Sequence, residues 1–255
     1  MPRILVIGET CVDEYIPGHC DRVCPEAAAL CFKRSNEEIK TNLGMAGNVM
    51  NNIRSILPDA KIDIITNNQE RTIIKRRFVD TRYNTIVFRE DLNDRSEPIQ
   101  INQHDYSNYD AIVFSDYNKG FLCENDYSII SKQASPNCTI FADTKKKVTK
   151  KIVENIDFLK INKSESQNIS DIDSLSYCCS IIITSGADGA TIISSGNKIN
   201  FPTQPVEVRD VCGAGDTFLA ALVSEYIKTK DIGFCIRYAN YSARLVVSKF
   251  GVCTP

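Results

Sequence analysis

Short, unbroken apolar runs punctuate the chain, and each ends in a small or polar residue. Ile4–Ile7 stops at Gly8, Ile62–Ile65 at Thr66-Asn-Asn, and Ala111–Phe114 at Ser115-Asp116. Thr139–Ala142 stops at Asp143, Phe158–Ile161 at Asn162, and Ile181–Thr184 at Ser185-Gly186. Runs this short and continuous suit strands buried on both faces of a parallel sheet. Helix-like stretches separate them, which is the alternation of βαβ units, so the pattern predicts an α/β fold with a central, mostly parallel sheet. In such sheets ligands sit outside the carboxyl ends of the strands. Asp116, Asp143, Asn162 and Ser185 all stand at those ends.

Two stretches break the rhythm. Tyr15–Arg34 and Thr72–Glu90 contain alternating or β-branched segments, such as Ala29-Leu-Cys-Phe-Lys33 and Thr85-Ile-Val-Phe-Arg89. They predict strands of a second, smaller antiparallel sheet. No linker rich in Gly, Ser or Pro sets them apart. Residues 1–255 therefore read as a single domain with lid insertions at about 15–34 and 72–90. The open edges of a strand-built lid need covering, which predicts a homodimer through the lid.

Composition narrows the function. Hydrophobic residues make up 43% of 255, enough for a substantial core. A net charge of −2 provides no overall field for nucleic acid, so no nucleic-acid partner is expected. Eleven cysteines, an odd number, read as reduced thiols. Cys20-x-x-x-Cys24 finds no matching pair at zinc spacing, and the only histidines are His19 and His104, so no structural zinc is expected. Ile4–Ile7 is too short for a signal segment or a membrane span, which predicts a soluble cytoplasmic protein without a membrane partner. The first strand leads into Gly8-Glu-Thr-Cys-Val-Asp13, which lacks the Gly-x-Gly-x-x-Gly of a dinucleotide site.

The densest candidate chemistry lies in Gly213-Ala-Gly-Asp216. An extended segment, Pro205–Arg209, precedes it, and the apolar helix Thr217–Ile227 follows. The glycines thus stand at a helix N-terminus, where unpaired N–H groups and the positive dipole end attract anions. A carboxylate at Asp216, in the first turn, can take the proton of an attacking hydroxyl. An ordinary capped turn would look similar in isolation.

Other segments lift the motif above that simple alternative. Asp210-Val-Cys-Gly-Ala-Gly-Asp216 resembles the C-terminal signature of the PfkB, or ribokinase-like, carbohydrate kinases, and Gly44-Met-Ala-Gly-Asn48 stands in the place of their first signature. Asp13 after the first strand, Asn162-Lys-Ser-Glu165 and Thr184-Ser-Gly-Ala-Asp-Gly189 follow in the family's order. Arg22-Val-Cys-Pro-Glu-Ala27, Lys75-Arg-Arg77, Phe88-Arg-Glu-Asp91, Ser115-Asp-Tyr-Asn-Lys-Gly120 and Lys249–Pro255 resemble the heptose-7-phosphate kinases. These are often the N-terminal half of a bifunctional kinase/adenylyltransferase.

The resemblance implies a ribokinase-like three-layer sandwich with a small β-sheet lid, and ATP-dependent transfer to a sugar hydroxyl with Mg²⁺. It makes Asp216 the catalytic base and Gly213, Ala214 and Gly215 the anion hole. Asn162 and Glu165 would place Mg²⁺, mainly through water, and the phosphates. Asp13, Gly44 and Asn48 would face the sugar. Asp116, Lys119 and Lys145, with Lys75 and Arg77 of the lid, are candidates for the phosphate end of a sugar phosphate or for charge balance. Ser185, Gly186 and Gly189 would approach the nucleotide, and Asn240 would border the adenine pocket. Asp210 would help hold a monovalent cation such as K⁺, as in some members. Gly251 and Thr254 belong to the other loop of that site.

Three departures from the family pattern stand out. Met45 replaces a glycine and would narrow the sugar site. Thr66–Glu70 bridges directly to the second lid segment, where the family carries a further helix and strand. The family's closing helix beside the nucleotide is expected to be missing after Pro255. Three readings stay open: a heptose-phosphate kinase, a kinase of another sugar, sugar phosphate or nucleoside, and a non-catalytic sugar- or nucleotide-binding regulator.

Overall fold

The computed structural model describes residues 1–248 and 254–255, with Arg71 described by its backbone alone. Gly251 and most of the Lys249–Pro255 motif lie outside the described residues. The chain runs β1 (Arg3–Gly8), β2 (Thr10–Val23), β3 (Leu30–Arg34), β4 (Lys40–Met45), α1 (Ala46–Ile56), β5 (Lys61–Ile65), β6 (Ile73–Asp80), β7 (Thr85–Leu92), β8 (Ala111–Asp116), α2 (Glu124–Gln133), β9 (Thr139–Thr144), α3 (Lys150–Val153), β10 (Phe158–Asn162), α4 (Lys163–Ser166), α5 (Ile172–Leu175), β11 (Ser180–Thr184), β12 (Ala190–Ser194), β13 (Asn197–Phe201), α6 (Ala214–Thr229) and α7 (Ile232–Val247).

All six predicted apolar runs become neighbouring parallel strands, in the order β5-β1-β8-β9-β10-β11. The hairpin β12–β13 extends that sheet antiparallel to eight strands. The runs are continuous because both faces are covered. On β1, Ile4 and Val6 pack with α1, α6 and α7, whereas Leu5 and Ile7 pack with α2 and α3. Helix α6 is buried from Phe218 to Val223, a stretch with no polar face, because it lies in the core of its layer. Each Phe, Leu or Val side chain there contributes about 1.5–3 kcal/mol when removed from water. Pro205–Arg209, expected to be extended, forms no strand; Arg209 N–H instead reaches the Val247 carbonyl.

The second sheet is larger than predicted, and it is mixed. Its strands run β3-β2-β6-β7, and β4 also pairs with β2. It starts at Thr10 rather than Tyr15 and takes in Lys40–Met45. Pairs β2–β3, β2–β4 and β6–β7 are antiparallel, but β2 and β6 run parallel, which corrects the all-antiparallel expectation. The brief 66–72 connection delivers the chain from β5 straight to β6, leaving β5 at the edge of the large sheet. Through β2, β4 and β6 this second sheet brings Asp13, Gly44 and Arg77 to the carboxyl ends of the large one.

Candidate active site

Helix α6 begins at Gly213, whose left-handed backbone (φ 78°) turns the chain into the first turn without a side-chain cap. Ala214 N–H turns back to the Val211 carbonyl at 3.3 Å. The N–H groups of Gly213 and Gly215 have no acceptor among the described residues. A Cβ at Gly215 would sit 2.8 Å from Lys160 Nζ, so a side chain there would displace the ammonium.

Asp216 is buried, and both its oxygens are held. Asn48 Nδ2 donates to Oδ2 at 2.9 Å and the Tyr117 hydroxyl to Oδ1 at 2.5 Å. Asn48 is itself oriented, because its Oδ1 accepts from Asn52 Nδ2 at 2.9 Å while Asn52 Oδ1 accepts from the Thr217 hydroxyl. A buried amide network thus ties α1 to α6 across the site. Burial pushes the Asp216 carboxyl above its ordinary range; the hydrogen bonds from Tyr117 and Asn48 oppose that without cancelling it.

Two cavities meet at this helix start. One, about 390 Å³, is lined by charged and polar groups: Tyr117, Asp143, Lys145, Lys160, Asn162 and Asp216, with Gly213 and Gly215. The other, about 330 Å³, is largely apolar and includes Gly186, Gly189, Val206, Phe218, Asn240 and Val247. Thr184, Val211 and Gly215 line both.

A chain of ions runs along the polar cavity. Lys160 Nζ lies 2.6 Å from Asp143 Oδ2, and Lys145 bridges Asp143 at 3.4 Å and Glu165 at 2.5 Å. Burial raises the Asp143 carboxyl, but the two ammonium charges outweigh it and hold the group below its usual value. Asn162 and Glu165 form a reciprocal cap on α4: each accepts the other's backbone N–H at 2.8 Å.

Around Asp13 the predicted residues are engaged with one another. Asp13 Oδ1 accepts from Arg77 Nη1 at 2.5 Å, and both side chains are almost wholly buried. Gly44 pairs with Cys11 across β2–β4, and a Cβ there would meet Asp13 Oδ2 at 2.1 Å. Lys75 lies over the Tyr117 ring, 5.1 Å from its centre. Met45 adopts φ 58°, a region that glycine favours, and packs with Cys11, Ile73 and Tyr117.

Several other predicted residues already have partners within the chain. Asp116 is buried and accepts from Tyr127, Thr144, Lys146 and the Asn118 N–H, so its lone pairs secure the β8–β9 ends and leave nothing for a ligand. Lys119 is turned to Asp94. Asn240 lines the apolar cavity and anchors its amide on the Phe201 carbonyl at 2.9 Å. Ser185 closes the Gly186–Gly189 loop through its N–H on the Gly189 carbonyl. Asp210 accepts the Cys212 N–H at 2.9 Å, bracing the loop that leads to Gly213.

Three residues were missed as site residues: Glu9, Tyr117 and Lys160. Glu9 is fully buried, and its carboxylate accepts the N–H groups of Tyr117 and Lys119 at 2.9 and 2.7 Å, which sets the loop that carries Tyr117. Lys160 left a signal, a lone cation within the apolar run Phe158-Leu-Lys-Ile161. Asp143 stood at a strand end, but its lysine partners were not apparent.

A family model described as pfkB family carbohydrate kinase matches residues 41–255. The bifunctional protein HldE of Sulfurimonas denitrificans is 29% identical over 299 residues, spanning 99% of this chain and 62% of the relative. The chain thus spans less than two thirds of that relative's length. Among solved structures, Arabidopsis thaliana ribokinase complexed with ribose and ATP superposes with a TM-score of 0.72 at 16% identity, covering 98% of this chain and 94% of the other. Escherichia coli phosphofructokinase-2 in complex with potassium gives a TM-score of 0.72 at 13% identity, covering 100% and 96%. These two show a shared ribokinase-like fold.

Proposed function

The chain belongs to the pfkB family of carbohydrate kinases, and on that footing we propose that it transfers the γ-phosphoryl group of ATP to a hydroxyl of a phosphorylated sugar, heptose 7-phosphate in the first instance. One observation carries the reading: Asp216 is buried at the α6 N-terminus where an apolar cavity and a charged one adjoin. The apolar cavity suits a base, and the charged one suits phosphates and the acceptor hydroxyl. Asp216 accepts the hydroxyl proton as that oxygen attacks, and a carboxyl raised by burial is a stronger base for the step. Backbone N–H groups at Gly213 and Gly215 hold the developing charge, with Ala214 completing the turn.

Asn162 and Glu165 offer hard oxygen donors beside the polar cavity, which suits Mg²⁺ held largely through water. When bound, Mg²⁺ neutralises phosphate charge. Asp210 is proposed to hold a monovalent cation such as K⁺. Arg77, Lys75 and Lys145 are the cations available to the substrate's own phosphate, with Lys119 further out on Asp94. Arg77 would leave Asp13 to meet that phosphate and free Asp13 for sugar hydroxyls beside Asn48 and Gly44. The lid also presents Phe32 edge-on to Phe78 and Phe78 tilted against Phe88, with Phe88 and Leu30 largely exposed. We propose this surface for a homodimer, which light scattering rejects if it finds only monomer. Among the described residues no helix is long and apolar enough to cross a membrane. A cytoplasmic location is proposed from the ATP requirement and the odd cysteine count.

A coupled ADP-release assay across heptose, hexose and pentose phosphates, with free sugars and nucleosides, tests the reading. Turnover confined to phosphorylated heptose is expected. Faster turnover of a free sugar or nucleoside would reassign the acceptor. Nucleotide binding without transfer to any acceptor would favour a binding protein on this scaffold, a reading that the strained Met45 beside Asp216's partner Tyr117 keeps in view.

A further inference from the structure

Lys160 is a cation in an unusual place. It projects from the middle of β10 with only 3% of its side chain exposed, yet it lines the charged cavity at the start of α6. Its ammonium sits against Gly215, in the space a Cβ would need. Burying an ammonium is costly unless every charge and donor is met. Asp143 meets one of its three N–H bonds, at 2.6 Å, and among the described residues no second acceptor is found. Asp143 is also shared with Lys145, so it neutralises neither lysine fully. The adjoining Gly213 and Gly215 N–H groups likewise have no acceptor.

These donors converge on one small volume, and together they fit a multiply charged oxyanion. We infer that Lys160 is a ligand of the terminal phosphoryl group of the bound nucleoside triphosphate, approaching it from the sheet side while the α6 N-terminus approaches from the other. The inference rests on the kinase reading above and adds a residue to it. Asp143 holds the ammonium in position when the nucleotide is absent and yields part of it to the phosphate when the nucleotide is bound. Glycine at 215 lets the ammonium and the helix close on the same group without displacing the lysine.

The test compares two nucleotides, each with Mg²⁺: ADP and the non-hydrolysable analogue AMP-PNP, by titration calorimetry. In a variant with Lys160→Gln and Asp143→Asn together, which leaves no buried charge unpaired, affinity for AMP-PNP should fall about ten- to a hundredfold, the scale of a charge-assisted hydrogen bond to phosphate. ADP affinity should change by less than about threefold, since the lost contact is with the third phosphate. Asp143→Asn alone, which frees the ammonium, should hold or raise AMP-PNP affinity relative to ADP. A lysine that only braced the fold would lower both nucleotides alike, and equal losses, or none, in a folded variant would overturn the assignment. A fall in relative AMP-PNP affinity for Asp143→Asn would overturn it too. Wild-type protein that binds neither nucleotide would instead remove the kinase reading itself.

Discussion

The two sides of the α6 N-terminus are built on opposite plans. On the side proposed for the nucleotide base the walls are largely glycines and apolar side chains around an open cavity. On the side proposed for the acceptor both buried carboxylates are already held: Asp13 by Arg77, and Asp216 by Asn48 and Tyr117. A preformed apolar slot costs little to fill. A self-paired polar site binds only what replaces its internal partners, because a buried group left unpaired is expensive. On the proposed reading the nucleotide's base is thus met by shape, and the acceptor by exchange of hydrogen bonds. Selectivity for the acceptor lies in how well it replaces Arg77 and Tyr117.

The largest test removes the group the two sides share. Asp216→Asn keeps the shape and the Asn48 contact but cannot take a proton. Turnover should fall by about 10²–10⁴, while calorimetry finds nucleotide affinity nearly unchanged. Near-normal turnover would mean the boundary residue does no chemistry. Next comes Arg77→Leu, which leaves the Asp13 carboxylate buried alone. Stability should drop by about 3 kcal/mol in denaturant unfolding, and adding Asp13→Asn should recover most of it. A loss well below that would show that the pair opens readily, so the acceptor side would not be self-paired in solution.

How much of this contrast was legible in the sequence follows the same division. The nucleotide side rests on local signals: apolar runs ending in Asn162 or Ser185, and glycines ahead of the α6 apolar stretch. Each is set by residues close in sequence. The acceptor side depends on β2 running parallel to β6, which places Asp13 beside Lys75 across a separation of about sixty residues. A parallel pairing needs no tight turn and leaves no local mark, so the pattern of β2 suggested only a strand of an antiparallel lid sheet. The Asp13–Arg77 pair was hidden for the same reason, and the Tyr117–Asp216 bond because it joins residues 99 positions apart on separate elements. Lys160 differs: a lysine inside an apolar strand is visible, but its partner Asp143 arrives from the neighbouring strand.

A smaller effect sharpens the comparison at Asp216 itself. Tyr117→Phe removes a donor to the ionised carboxylate, so the carboxyl should titrate at higher pH than in the wild type. The base must be ionised, and the acid limb of the kcat/KM profile should therefore move upward in pH. The stability sign is fixed as well. A carboxyl raised in the folded state contributes stability that is present at low pH and lost as pH rises through its folded value. The variant should then lose more stability at neutral pH than in acid. An acid limb that stays in place would show that the phenol does not set the basicity of Asp216.

Met45 gives the smallest expected change in stability, because two terms oppose each other. Its φ of 58° with ψ of −132° is backbone that costs a residue bearing a Cβ about 1–3 kcal/mol. Met45→Gly would recover that strain but would empty the volume the side chain fills against Cys11, Ile73 and Tyr117. Losing a buried methionine side chain costs about 2–5 kcal/mol, toward the low end where the surroundings can collapse. This cluster is small and lies against the acceptor cavity rather than within the main core, so the net should be a loss of about 1 kcal/mol, or some 2–4 °C in the unfolding midpoint. The space gained opens beside Tyr117, and the variant should accept a wider range of acceptors in the ADP-release assay. A loss of several kcal/mol with an unchanged acceptor range would make Met45 a core residue. The acceptor side would then be narrow through its backbone and its ion pairs alone.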